Sequence, residues 1–302
     1  MFFSFRSTKQ HENGFRRFFG VTANSLLALF VLTGCDKLGA YNTWQAGSYE
    51  PDFNGLSYGH DIRQVVDLYL PNRTARPAPL LIWLYGGSWN SGDRAKYAFI
   101  AKRFNQLGYA VAIPDYRLFP NVRFPAFLEN TASAIGFLSD YAAQNPDQLQ
   151  QSPVILAGHS AGAYNAVQVV ADQNYLKSVG LPPSHIAGVI GLSGPYDFYP
   201  YDVRATQNAF GDTPPERSQP VAMDLSSMPP LLLITGNRDQ TVFPRNSRKL
   251  ADLAPDAIYV EIEDTGHAGT LIALGFYLTT NKSVLDPVEQ FLRDKLPSLP
   301  QR

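Results

Sequence analysis

The chain of 302 residues has one cysteine, Cys35, so no disulfide can form within it and a folded body must rest on its core. It lacks the patterns that hold metals: there is no His-x-x-x-His, no cysteine pair and no carboxylate cluster, and neither a metal nor a cofactor is expected. A phosphate-binding glycine loop is missing too, because Gly86-Gly87 has neither the third glycine nor the Lys-Ser/Thr of such motifs. Nor is charge of one sign in excess. The 25 Lys and Arg balance 26 Asp and Glu at a formal net charge of −1, which argues against nucleic acid as a partner. Repeats, low-complexity tracts and linkers long enough to separate domains are also absent.

What is present, from Pro79 onward, is a regular alternation of apolar runs and amphipathic stretches. Leu80–Leu84, Ala110–Pro114, Val154–Ala157, Ala187–Leu192, Leu231–Thr235 and Ile258–Ile262 read as strands. Between and after them, Tyr97–Leu107, Phe127–Ala143, Ala161–Ala171, Pro244–Leu253 and Pro287–Leu296 read as helices. Strands alternating with helices predict an α/β fold, with a mostly parallel central sheet covered by helices on both faces.

The most informative segment is Gly158-His159-Ser160-Ala161-Gly162, set between a strand and a helix. A serine on such a sharp corner is held in a strained backbone conformation that exposes its Oγ, and glycines on either side let strand and helix approach. The N–H of Ala161 and the helix dipole then face any negative charge that develops there. A serine hydroxyl needs a base, and there are five histidines. His11 falls in a leader segment. His60 lies in an early hairpin, His159 sits inside the corner and points away from the base position, and His185 opens a strand at the wrong end, as a surface or capping residue. His267, in a glycine-flanked loop after a late strand, remains.

Asp239 follows the buried strand Leu231–Thr235 and is the candidate to orient His267, with Asp197 and Asp264 as rivals. The chain order Ser160, Asp239, His267 differs from both major protease orders. Donors for an oxyanion are expected at Gly87 and Ser88, where the strand Leu81–Tyr85 runs into a glycine pair, and at Ala161.

These segments resemble the α/β-hydrolase superfamily, in its carboxylesterase and lipase branch of hormone-sensitive-lipase-like, feruloyl-esterase-like and kynurenine-formamidase-like enzymes. The resemblance runs from Tyr58 to the C-terminal helix and includes Arg63–Pro71 and Asp115-Tyr116-Arg117. Where that branch has His-Gly-Gly, this chain has Tyr85-Gly86-Gly87-Ser88-Trp89, which affects the architecture of the loop more than the chemistry. The resemblance implies a carboxylesterase that takes a small-molecule ester through an acyl-enzyme. An amidase or arylformamidase on the same triad is the alternative, and a catalytically silent envelope scaffold is a further one.

Between two late strands, Tyr196 to Met228 is rich in aromatics, Pro, Asp and Asn. Trp89, Tyr196, Phe198 and Tyr199 are candidate substrate contacts, and Tyr201 and Phe210 belong to the same set. Ordinary packing beneath a loop explains them equally well. At the N-terminus, Arg16-Arg17 precede the apolar run Val21–Leu32, too short to span a bilayer comfortably, which ends in Leu32-Thr33-Gly34-Cys35. This resembles a bacterial lipoprotein signal: residues 1–34 would be removed, Cys35 acylated, 35–57 would form a tether and 58–302 the catalytic domain. The expected location is the cell envelope, facing the periplasm, with a membrane as partner through the lipid at Cys35.

Overall fold

Leu80-Leu81-Ile82-Trp83-Leu84 contains no polar side chain, and all five residues are buried, the condition of a strand covered on both faces. Ala110–Pro114 is likewise apolar and buried throughout, and Val154–His159 and Leu231–Gly236 are buried at every residue, with His159 and Thr235 their only polar side chains. The computed structural model describes residues 36–72, 77–151, 153–277 and 282–295. In it these runs form one eight-stranded sheet, made of β1 (Phe53–Ser57), β2 (Val65–Tyr69), β3 (Leu80–Leu84), β4 (Ala110–Pro114), β5 (Val154–His159), β6 (Ile186–Leu192), β7 (Leu231–Gly236) and β8 (Ala257–Ile262). The spatial order is β1-β2-β4-β3-β5-β6-β7-β8, with β1 and β2 antiparallel at one edge and β3 to β8 parallel. β5 therefore lies in the middle, and its C-terminal end opens where chain crossovers leave room for a ligand.

The helices are α1 (Lys37–Ala46), α2 (Ala98–Gln106), α3 (Ala126–Gln144), α4 (Ala161–Ala171), α5 (Asn174–Ser178), α6 (Arg204–Phe210), α7 (Pro215–Ser218), α8 (Arg245–Leu253), α9 (Gly269–Ile272) and α10 (Leu285–Lys295). α4 is buried at every residue because it packs on β3, β5 and β6 beneath α3. Its Ala-rich face lets backbone approach the sheet closely, so the corner it shares with β5 is rigid.

Of the stretch expected as a tether, residues 38–57 are part of the body. Compact structure begins at Leu38, not Tyr58. α1 is fastened by Tyr41, whose hydroxyl donates to the Ile272 carbonyl at 2.8 Å, and by Asn42, which bonds Ala95 and Phe99. β1 adds the outermost strand. With alternation starting only at Pro79, α1 carries no periodic signal, and its anchors are polar side chains that meet partners distant in sequence. Two further corrections concern single residues. His185 is 6% exposed, in a 3₁₀ turn before β6, so it is buried and not a surface group. Tyr196 is fully buried with its hydroxyl against Gly191 and Gly194, where an added Cβ would come within 2.1 and 2.3 Å of it.

Candidate active site

Ser160 sits between the last residue of β5 and the first of α4 at φ 55° and ψ −123°. A residue with a Cβ is strained there, and the strain persists because the surrounding backbone over-determines it. The flanking glycines make that packing possible. A Cβ on Gly162 would lie 2.0 Å from the Leu84 carbonyl oxygen, and one on Gly158 2.6 Å from the carbonyl carbon of Gly162. Strand β3, the corner and α4 thus meet backbone to backbone, and the Oγ of Ser160 points out over the sheet.

His267 arrives on the loop after β8. Its Nε2 is 3.0 Å from Ser160 Oγ and its Nδ1 is 2.8 Å from Asp239 Oδ2. An ionised carboxylate only accepts, so Nδ1 carries the proton of the neutral ring and Nε2 is left to take the serine proton. Asp239 is held in turn: its Oδ1 accepts the N–H groups of Thr241 and Val242, each at 2.9 Å. Burial alone would push the Asp239 carboxyl up, but the hydrogen bonds from His267 and from the Val242 and Thr241 amides outweigh it and hold the group below the ordinary carboxylate value. The rivals have other partners. Asp197 pairs with Lys249 at 2.8 Å, and Asp264 pairs with Arg238 on the exposed surface.

Opposite the histidine loop, the chain leaves β3 through Tyr85-Gly86-Gly87-Ser88-Trp89. Gly87, Ser88 and Trp89 all have positive φ, at 128°, 51° and 58°. A Cβ on Gly86 would reach within 3.0 Å of the Ser160 Cβ, so the loop lies directly on the corner. Ser88 and Ala161 line the cavity over Ser160; Gly87 lies just outside that lining, its carbonyl closing a turn with Asn90 and Ser91. Ala161 opens a helix, so its N–H has no intrahelical acceptor.

Tyr85, in place of the family's histidine, shows how the loop is fixed. Its hydroxyl donates to Asp115 Oδ1 at 2.7 Å and accepts from Arg63 at 2.7 Å, and the Tyr116 hydroxyl donates to its carbonyl. Asp115 also binds Arg94 at 2.7 Å, and Arg94 reaches Asp67 at 2.8 Å. Burial works against the Arg94 charge, but the hydrogen bonds with Asp67 and Asp115 outweigh it. Arg63, Asp67, Asp115 and Tyr116 lie in the family-like segments of the sequence, whereas Arg94 carries no local signal that it joins them.

The cavity above Ser160 has a volume of about 260 Å³. Trp89, Phe198 and Tyr199 line it, whereas Tyr196 does not. The aromatic stretch therefore divides between the two readings. Trp89 closes one wall, with its Nε1 donating to Asn165 at 3.0 Å and its ring among Phe127, Phe198, Tyr164 and Phe210. Phe210 and Tyr201 serve as packing behind it. Gln240, Phe243 and Arg245 also line the cavity.

His159 departs from expectation. It does not turn away from the base: its Nε2 is 3.0 Å from the His267 carbonyl oxygen.

Cys35 and residues 1–34 lie outside the described residues. Among the described residues, no helix is long and apolar enough to cross a membrane, and no group of three or more His, Cys, Asp or Glu could hold a metal.

Similarity to other proteins agrees with this geometry. The kynurenine formamidase of Drosophila melanogaster is 26% identical over 213 residues, covering 66% of this chain and 67% of that one. Esterase LipC of Mycobacterium tuberculosis is 26% identical over 242 residues, 71% of this chain and 59% of that one. The chain spans about half the length of most of the curated relatives it matches. Esterase B from Lactobacillus rhamnosis shares the fold at a TM-score of 0.69 and 19% identity, covering 85% of this chain and 90% of that one. The BD-FAE family matches residues 66–253, which is more than half of the chain. The protein belongs to that family, the BD-FAE esterases of the α/β-hydrolase fold.

Proposed function

We propose that the protein is a serine carboxylesterase that takes a small-molecule ester. The observation that carries this reading is the unbroken hydrogen-bonded path from Ser160 Oγ through His267 to Asp239, with Ser160 lining an open cavity. Ser160 attacks the ester carbonyl as His267 takes its proton, and Asp239 stabilises the imidazolium. The N–H groups of Ala161 and Ser88, with Gly87 behind, receive the oxyanion. The alcohol leaves with the proton from His267, and water activated by the same ring releases the acid.

The formamidase relative favours a second reading, hydrolysis of an N-formyl aromatic amide by the same residues. One experiment separates them: intact-mass analysis after a fluorophosphonate, then turnover of p-nitrophenyl esters from acetate to palmitate and of N-formylkynurenine. Labelling at Ser160 with ester turnover supports the esterase, formamide turnover alone supports the amidase, and an unlabelled serine removes both.

Lipidation at Cys35, and with it a place in the envelope facing the periplasm, is part of the proposal and rests on the sequence Leu32-Thr33-Gly34-Cys35. Two acyl chains would anchor the protein stably. Metabolic labelling with an alkynyl palmitate checks it: wild type should take up label and Cys35→Ala should not.

A further inference from the structure

Two buried side chains converge on one atom, the backbone carbonyl oxygen of His267, and a third supports them. His159, the last residue of β5, places Nε2 3.0 Å from that oxygen, and Thr270 in α9 places Oγ1 3.2 Å from it. A carbonyl oxygen accepts, so both contacts are donations, and the neutral His159 ring carries its proton on Nε2. The single hydroxyl proton of Thr270 is thereby used. Ser193, whose Oγ is 3.0 Å from Thr270 Oγ1, must then donate to Thr270. Ser193 follows β6 directly and is held at φ 49°, a conformation with positive φ like that of Ser160. His159 is 6% exposed, and Ser193 and Thr270 are fully buried, so water does not stand in for any of them. The His159 and His267 rings are also neighbours, tilted at 48° with centroids 4.8 Å apart.

We propose that His159 is a positioning residue for the base: with Thr270 it pins the His267 carbonyl, so that the loop presents Nε2 to Ser160 at a fixed distance. This rests on the triad reading above. The physical need is plain, because His267 comes from a loop after β8, whereas Ser160 sits on a rigid corner of the sheet. Hydrogen bonds through the imidazole alone would let ring and loop swing together, and a displacement of about 1 Å can cost roughly 100-fold in rate. A second fixed point at the backbone of the same residue removes that freedom. The brace also introduces no charge. Burial, followed by the neighbouring His267, pushes the His159 titration down to about 4, and Asp239, the other ionisable group facing it, opposes this only weakly.

The test compares three single variants of the full chain, with kcat and KM for p-nitrophenyl acetate and the rate of fluorophosphonate labelling as readouts. His159→Phe keeps a ring but has no donor; His159→Gln keeps an N–H donor; Thr270→Val removes the second donor at equal volume. The phenylalanine variant should lose about 10- to 100-fold in kcat with KM within twofold, and Ser160 should label more slowly by the same factor. Glutamine should recover to within about threefold of wild type, and Thr270→Val should lose about three- to tenfold. A folded phenylalanine variant with kcat within twofold of wild type overturns the proposal, as does a glutamine variant impaired to the same degree as phenylalanine. If the phenylalanine variant fails to fold, an unchanged kcat in Thr270→Val overturns it. Wild type that is never labelled would instead sink the esterase reading itself.

Discussion

The two loops that meet over Ser160 are held down by opposite chemistry. The oxyanion loop rests on a network of charges, the buried Asp115 and Asp67 with the half-buried Arg63 and Arg94, and the Tyr85 hydroxyl at its centre. The histidine loop rests on Ser193, Thr270 and His159, which carry no charge near neutrality. Backbone N–H groups have no titration to disturb, so ion pairs beneath them rigidify the loop without side effects. A base is different. A fixed charge in direct contact with the His267 backbone would also act on the imidazolium, whereas a neutral brace leaves Asp239 as its charged partner.

The sharpest way to break this arrangement is to remove what both loops serve. Ser160→Ala should lower ester turnover by about 10⁴-fold or more, with its thermal melt near wild type, and Asp239→Asn should lower turnover by a similar factor. Stopped assays with p-nitrophenyl acetate and calorimetry check this together.

Next in size is the charged side. Asp115→Asn removes the carboxylate shared by Arg94, Arg63 and Tyr85, and the loss should be about 3 kcal/mol in urea unfolding. Activity should fall with it, because the oxyanion loop loses its footing, and it should fall in kcat before KM.

The neutral side answers to pH instead. His159 titrates near 4 in the folded protein against an ordinary value of 6.5, burial being the main cause. Between pH 6.5 and about 4 the unfolded chain takes up a proton that the native chain refuses. Stability is therefore complete above that window and falls as pH drops through it, by up to about 3 kcal/mol. His185, also depressed by burial, adds in the same direction. Below this window Asp239, held under its ordinary value, contributes a further loss as its carboxylate is protonated. Urea melts at pH 7.5 and 5.0 should show the drop, and His159→Gln should flatten most of it.

The smallest effect belongs to an exposed pair at the start of the histidine loop. Asp264→Asn breaks the exposed pair with Arg238 and should change stability by less than about 1 kcal/mol and activity by less than twofold. A large loss of activity would return Asp264 to consideration as the partner of His267.

Much of this was legible before folding. β3, β4 and the helix Ala161–Ala171 are found within their read bounds, since apolar periodicity and the glycine-flanked corner are local properties. Ser160, Asp239 and His267 were singled out by residue type and order, and the structure brings them within hydrogen-bonding distance. What escaped notice has no local pattern. α1 is docked through Tyr41, Asn42 and Gln45, whose partners are far away in the chain. Tyr196 and Phe198 are two residues apart in one aromatic stretch, yet one fills a notch made by Gly191 and Gly194 while the other lines the cavity.

His159 makes the same point at the site itself. Its place in the chain, one residue before Ser160 at the end of β5, follows from apolar patterning and the glycines of the corner, which act over a few residues. Its partner does not, because the His267 carbonyl lies 108 residues on and comes within reach only when β8 and its loop pack beside β7. Hydrophobic periodicity and turn chemistry are short-ranged, so the sequence determines the elements and the chemical kinds at the corner. Which buried polar group meets which is decided by register and layer packing, and those exist only once the whole sheet has assembled.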